Sequence, residues 1–106
     1  MKKNKINIKN NRCIINVLGE LCWGVYVDNF EKKIGNKKEV VEEFLERLLK
    51  AEREGIAEIC INNSESELIR RAFDEVFRQI DEWEFQTRMG ISIEEAIEVE
   101  KKIEHA

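Results

Sequence analysis

Apolar and polar positions keep two different rhythms along this chain. In the first third they alternate. Lys5-Ile-Asn-Ile-Lys9 has the period of two that predicts a half-buried strand. Asn10-Asn11 supplies turn chemistry, because Asn tolerates positive φ. Residues 12–18 predict a second strand, Gly19-Glu20 a two-residue turn with Gly first, and residues 21–27 a third strand. Phe30, Lys32 and Ile34 alternate again and could add a short fourth.

From residue 36 the period lengthens. Three helices are predicted, over about 37–54, 65–81 and 93–104, each behind a capping-box pattern: Asn36 with Glu39, Ser64 with Glu67, and Ser92 with Glu95. The first carries Val40, Val41, Phe44, Leu45, Leu48 and Leu49. The second carries Leu68, Ile69, Ala72, Phe73, Val76, Phe77 and Ile80. Glu43–Arg47, Glu67–Arg71 and Asp74–Arg78 stand four apart, as helix-surface pairs do. Residues 56–61 read as a strand. Trp83, Phe85, Thr87 and Met89 alternate with Glu84, Gln86 and Arg88, which predicts a late edge strand. The expected class is therefore α+β: an N-terminal antiparallel β-meander, then alternating helices and strands, with helices packed on one sheet face.

That arrangement would leave the second sheet face uncovered. In the expected register it carries Ile14, Leu18, Leu21, Trp23, Val25 and Val27. An apolar face of this kind predicts self-association, centred on Trp23, Val25 and Val27.

Composition narrows the class further. The 106 residues fit one domain spanning 1–106, with 42% apolar residues for a core and 38% charged residues for a surface. No apolar run approaches the roughly 20 residues that cross a bilayer. The basic N-terminus lacks the apolar segment of a signal peptide, so a cytoplasmic protein without membrane contact is expected. Cys13, Cys22 and Cys60 match no zinc spacing and sit among aliphatic residues, which predicts buried free thiols.

Charge is unevenly placed. Residues 1–38 carry +6 and residues 39–106 carry −10, for a total of −4. The acidic part would repel phosphate, so no direct nucleic-acid partner is expected. It suits a basic protein surface. Nothing in the residue types marks an enzyme. His105, the one histidine, is penultimate, and no phosphate-binding loop, nucleophile elbow or metal motif is present. Neither a cofactor nor a metal is expected. Most carboxylates lie at helix-surface spacing with basic neighbours, as a solvated face does.

The segment Trp83-Glu-Phe-Gln-Thr-Arg-Met-Gly90, followed by Ser92-Ile-Glu-Glu-Ala96, resembles immunity proteins of bacterial polymorphic-toxin systems, the contact-dependent growth inhibition type in particular. The likeness lies in an alternating strand that passes through Gly into a capped helix, within a small acidic domain. It implies a cytoplasmic inhibitor that binds a cognate toxin domain, often a nuclease, and covers its active site. No catalytic residue is implied. A nuclease cleft is basic because it holds phosphates. The expected contact is therefore Trp83 among Asp81, Glu82 and Glu84, extended by Glu94, Glu95 and Glu98. Helix-dipole and capping duties explain Glu94 and Glu95 equally well. The alternative function is a small regulatory or adaptor subunit with a non-toxin protein partner.

Overall fold

The meander ends at residue 7. The structure is a computed structural model and describes residues 4–24, 27–56 and 58–104. Its first strand, β1 (Asn4–Asn7), runs straight into a helix, α1 (Ile8–Gly19), and then into a π-helical turn, Glu20–Gly24. There follow α2 (Phe30–Ile34), α3 (Lys38–Arg53), β2 (Glu58–Ile61), α4 (Asn63–Gln79), α5 (Glu82–Met89) and α6 (Ile93–Glu104). The described chain is mostly helical, which overturns the α+β meander. Its two short strands pair with each other, antiparallel, from Asn4 opposite Ile61 to Asn7 opposite Glu58.

The expected strands over 12–18 and 21–27 fail for a physical reason. Ile14, Val17, Leu18, Leu21 and Cys22 stand at i, i+3, i+4, i+7 and i+8, and all five are buried. A strand would send Ile14 and Leu18 to one side and Ile15 and Val17 to the other. The helix buries all four in one core. β propensity spans only about 1 kcal/mol per residue. Full burial of an aliphatic side chain is worth about 1.5–3 kcal/mol, so burial decides. Phe30–Ile34 is likewise helical, with Ile34 turned into the core.

The long helices match their expected spans closely. Val41, Phe44, Leu45 and Leu48 of α3 are buried, as are Leu68, Ile69, Ala72, Phe73 and Val76 of α4. Their caps differ from expectation. The N-cap of α3 is Lys37, without a side-chain bond, so the Asn36 box does not form. The box of α4 lies two residues before Ser64. Asn62 Oδ1 accepts from the Glu65 N–H at 2.8 Å, and Glu65 Oε1 accepts from the Asn62 N–H at 3.0 Å. Ser92 does cap α6, its Oγ accepting from the Glu95 N–H at 3.2 Å.

Surface pairs are only partly those expected. Arg71 meets Glu67 at 3.0 Å. Asp74 instead takes Arg70 at 3.3 Å, and Arg78 goes to Glu75 at 3.4 Å. Arg47 leaves Glu43 for Glu65 at 2.8 Å, tying α3 to the start of α4 with its guanidinium 5.0 Å over the Phe44 ring. The buried carboxylate of Glu75 is served by Gln79 Nε2 at 3.1 Å, by Arg78, and by Lys33 of α2 at 3.8 Å.

Candidate protein-binding site

The stretch read as a late edge strand is the helix α5. Its period explains what alternation obscured. Phe85 and Met89 stand four apart and are both buried. Trp83 lies two residues from Phe85, about 200° around the helix axis, and is 77% exposed. The placement is held from below. Phe85 packs on Phe77 at 5.4 Å between ring centroids, and Phe77 on Phe73 at 5.8 Å. This aromatic row fixes the rotation of α5, and with it the outward course of Trp83.

Three carboxylates share that corner. Asp81 and Glu82 are exposed and Glu84 is half-buried. Asp81 is the N-cap residue, yet its side chain accepts no capping bond. Among the described residues neither Asp81 nor Glu82 has an ion-pair partner. Glu84 lies 3.8 Å from Arg88, one turn on. Glu82 and Glu84 also favour the positive end of α5, so part of this charge serves the helix itself.

The second acidic group is separate. Gly90, at φ 78°, ends α5 by donating its N–H to Gln86 O at 2.9 Å, a backbone conformation suited to glycine. The chain then enters α6, whose first turns carry Glu94, Glu95 and Glu98, all exposed. The length of α5, about 12 Å at 1.5 Å per residue, stands between Trp83 and this turn. No hydrogen bond or ion pair joins the two groups. Glu95 is taken up by the Ser92 cap, where it also accepts from the Ser92 hydroxyl at 3.2 Å.

The expected self-association face is not a face. Ile14, Leu18 and Leu21 are buried under the protein's own helices, and Val27 packs partly against the core. Val25 lies outside the described residues, as does His105. Trp23 alone of the described members stays out, 64% exposed at the end of the π-helical turn. Beside it runs a cleft of about 400 Å³ lined by Ile15, Asn16, Glu20, Leu45, Leu49 and Arg88, among others. Glu20 folds across Gly24, where a Cβ would collide with its carboxylate, and meets Arg88 at 3.4 Å. Arg88 thus links Glu20 of the turn to Glu84 of the Trp83 corner. Sequence reading missed this cleft. Its signals were the two glycines, Gly19 and Gly24, bracketing the short apolar run Leu21-Cys22-Trp23, and π-helical turns often accompany functional sites.

The thiols divide two to one. Cys13 and Cys22 are buried and free, whereas Cys60 is exposed on β2, against expectation. Burial, helped by the Glu95 carboxylate, pushes the Cys13 thiol up to about 12. Burial and then Glu42 raise Cys22 to about 11, with Lys38 pulling weakly the other way. Among the described residues no group of three His, Cys, Asp or Glu side chains could hold a metal ion, and no helix is long and apolar enough to cross a membrane. No family model, curated protein or solved structure matches the chain.

Proposed function

We propose that this chain is a binding protein that recognises a basic surface on another protein through the Trp83 corner, and that the partner is a toxin domain, such as a nuclease, neutralised by covering its active site. The observation that carries the reading is the exposure of Trp83 beside Asp81 and Glu82, two exposed carboxylates without an ion-pair partner among the described residues. A tryptophan so placed adds nothing to the core. In an interface it would give a large, rigid apolar contact, typically worth about 2 kcal/mol or more. Asp81 and Glu82, free of competing cations, would steer a basic partner into place and sharpen the salt dependence of association. The resemblance to immunity proteins contributes the class of partner. Its strand-through-Gly detail has gone with the strand, while the capped helix after Gly90 remains.

The test is recovery of partners from the native cell on immobilised protein, identified by mass spectrometry. Wild type would be compared with Trp83→Ala and with a combined Asp81→Asn, Glu82→Gln, Glu84→Gln variant. A basic toxin domain should be retained by wild type and lost by both variants, and co-expression should protect cells from it. A non-toxin protein captured through the same corner would make the chain a regulatory or adaptor subunit. Equal capture by all three proteins would move the site elsewhere.

A further inference from the structure

The two most exposed large apolar side chains among the described residues are the tryptophans, Trp83 and Trp23, and no other exceeds 43% exposure. A short series of contacts joins them. Glu84, next to Trp83 on α5, lies 3.8 Å from Arg88. Arg88 meets Glu20 at 3.4 Å and shares with Trp23 the lining of the cleft. Asn16 lines the same cleft and holds the end of α5 through the Met89 carbonyl. So α1 and the turn after it, which carries Trp23, are tied at two points to α5, which carries Trp83. The helix α5 forms a ridge between the two indoles. It is buried through Phe85 and Met89, while Glu82, Trp83, Gln86, Thr87 and Arg88 are exposed. Around its axis Glu84 stands about 100° from Trp83, and Arg88 about 40° beyond. Trp83 occupies the crest, and the Glu84–Arg88 flank leads down to the Trp23 cleft.

We infer that the Trp83 corner and the Trp23 cleft are two ends of one docking surface. A single protein partner with a concave, basic face straddles α5, takes Trp83 into its hollow and sets an apolar side chain beside Trp23 in the cleft. The inference rests on the proposed function and adds to it a second anchor and the shape of the partner. A flat face could touch the crest alone. Charge suits a basic occupant along the whole surface. Of its carboxylates, Glu20 and Glu84 share one arginine, while Asp81 and Glu82 have no ion-pair partner among the described residues. The Arg88 contacts remain in place as struts that set the two tryptophans relative to each other, so docking breaks neither. Area points the same way. A tryptophan buries on the order of 150–250 Å². One alone is a small part of the roughly 800 Å² that each side gives to a standard interface. Two, with the flank between them and the apolar cleft wall of Ile15, Leu45 and Leu49, approach it.

Photo-crosslinking in the native cell tests this. The photoreactive residue p-benzoylphenylalanine, an aromatic of comparable bulk, replaces Trp83, Trp23 or, as a control, Val40, an exposed residue of α3 on a different cleft. Positions 83 and 23 should give adducts with one and the same protein, identified by mass spectrometry, and position 40 should give none with it. The decisive arm combines the probe at 83 with Trp23→Ala, and the probe at 23 with Trp83→Ala. Below saturation each alanine should lower the adduct at the other position by about tenfold, with far-ultraviolet circular dichroism unchanged. An adduct at position 83 alone overturns the inference and leaves the proposed function standing. So do adducts with two different proteins, an equal adduct at position 40, or a yield at one position indifferent to alanine at the other. An adduct at position 23 alone, or at neither, overturns both.

Discussion

Asn16 donates its Nδ2 to the carbonyl oxygen of Met89 at 2.9 Å, joining positions 73 apart in the chain. The last carbonyls of a helix have no partner within it. This one, at the end of α5, is served by a half-buried amide from α1. The bond fixes the same helix that carries Trp83 and Arg88. Asn16→Ala would leave the Met89 carbonyl short of its donor. The expected cost is about 1 kcal/mol, read as a lower urea midpoint with an unchanged slope. Asn16→Asp should cost more, because a carboxylate there faces a carbonyl oxygen.

Most of the helical half of the fold was legible in the sequence because long amphipathic runs carry their own period. The stripes of α3 and α4 repeat over about two to three turns. The first third was misread because short apolar runs serve strand and helix alike. Ile14 to Leu21 holds β-branched residues at helical spacing, and only the surrounding helices decide which pattern buries more. The segment 83–89 failed in the same way. Phe85 and Met89 satisfy both a period of two and a spacing of four. The acidic corner with Trp83 in it was legible as composition, but the helix that carries it was not, since its rotation depends on how Phe77 and Phe85 pack. The Glu20–Arg88 contact spans 68 positions and left no local trace.

The caps give a direct measure of one such misreading. Asn62, not Ser64, closes the box of α4 with Glu65. Asn62→Ala should therefore destabilise the protein by about 1 kcal/mol, within the usual range for a lost N-cap. Ser64→Ala, at an exposed position inside the first turn, should change the unfolding free energy by less than about 0.5 kcal/mol. Comparable losses from both would place the helix start where the sequence alone suggested it.

The cysteines should react at very different rates. Cys60 is exposed, while Cys13 and Cys22 are buried with thiols raised to about 12 and about 11. The thiolate is the reacting form, so the two buried thiols are protected by access and by ionisation together. Native protein at neutral pH should release one equivalent of thionitrobenzoate quickly from Ellman's reagent, and denatured protein three. Cys60→Ser should remove the fast phase and leave the unfolding transition nearly unchanged.

Acid should weaken α4 through Glu67. Hydrogen bonds from Arg70 and Arg71 lower its carboxyl from the ordinary 4.5 to about 2. A carboxylate whose folded value is depressed stabilises the fold above its unfolded value. That contribution is lost as the pH falls from about 4.5 to about 2. The side chain is 46% exposed, so solvent screening holds the effect to a surface-pair scale, under about 1 kcal/mol. Glu67→Gln should cost that amount at neutral pH and little near pH 2. The check is the difference in unfolding free energy between the two proteins across this window.

Trp83 and Phe85 are near neighbours in sequence with opposite fates, and substitution should separate them. Phe85 is fully buried and packed at a tilt against Phe77, so Phe85→Ala removes a ring from the core. Large-to-small changes of this kind cost about 3–5 kcal/mol, a large fraction of the stability of a domain this size. Trp83 is mostly exposed, and Trp83→Ala should change the unfolding free energy by no more than about 0.5 kcal/mol. The combined Asp81, Glu82 and Glu84 neutralisation should also be nearly neutral, with a small loss because Glu82 and Glu84 face the helix N-terminus. Intrinsic fluorescence offers a second reading. Trp83→Phe should remove red-shifted, quencher-accessible emission and leave that of Trp23. Large destabilisation by Trp83→Ala would put this indole in the core and withdraw it from any docking surface. Stability near wild type, with partner dissociation accelerated, is the outcome expected for a side chain that α5 holds out for contact.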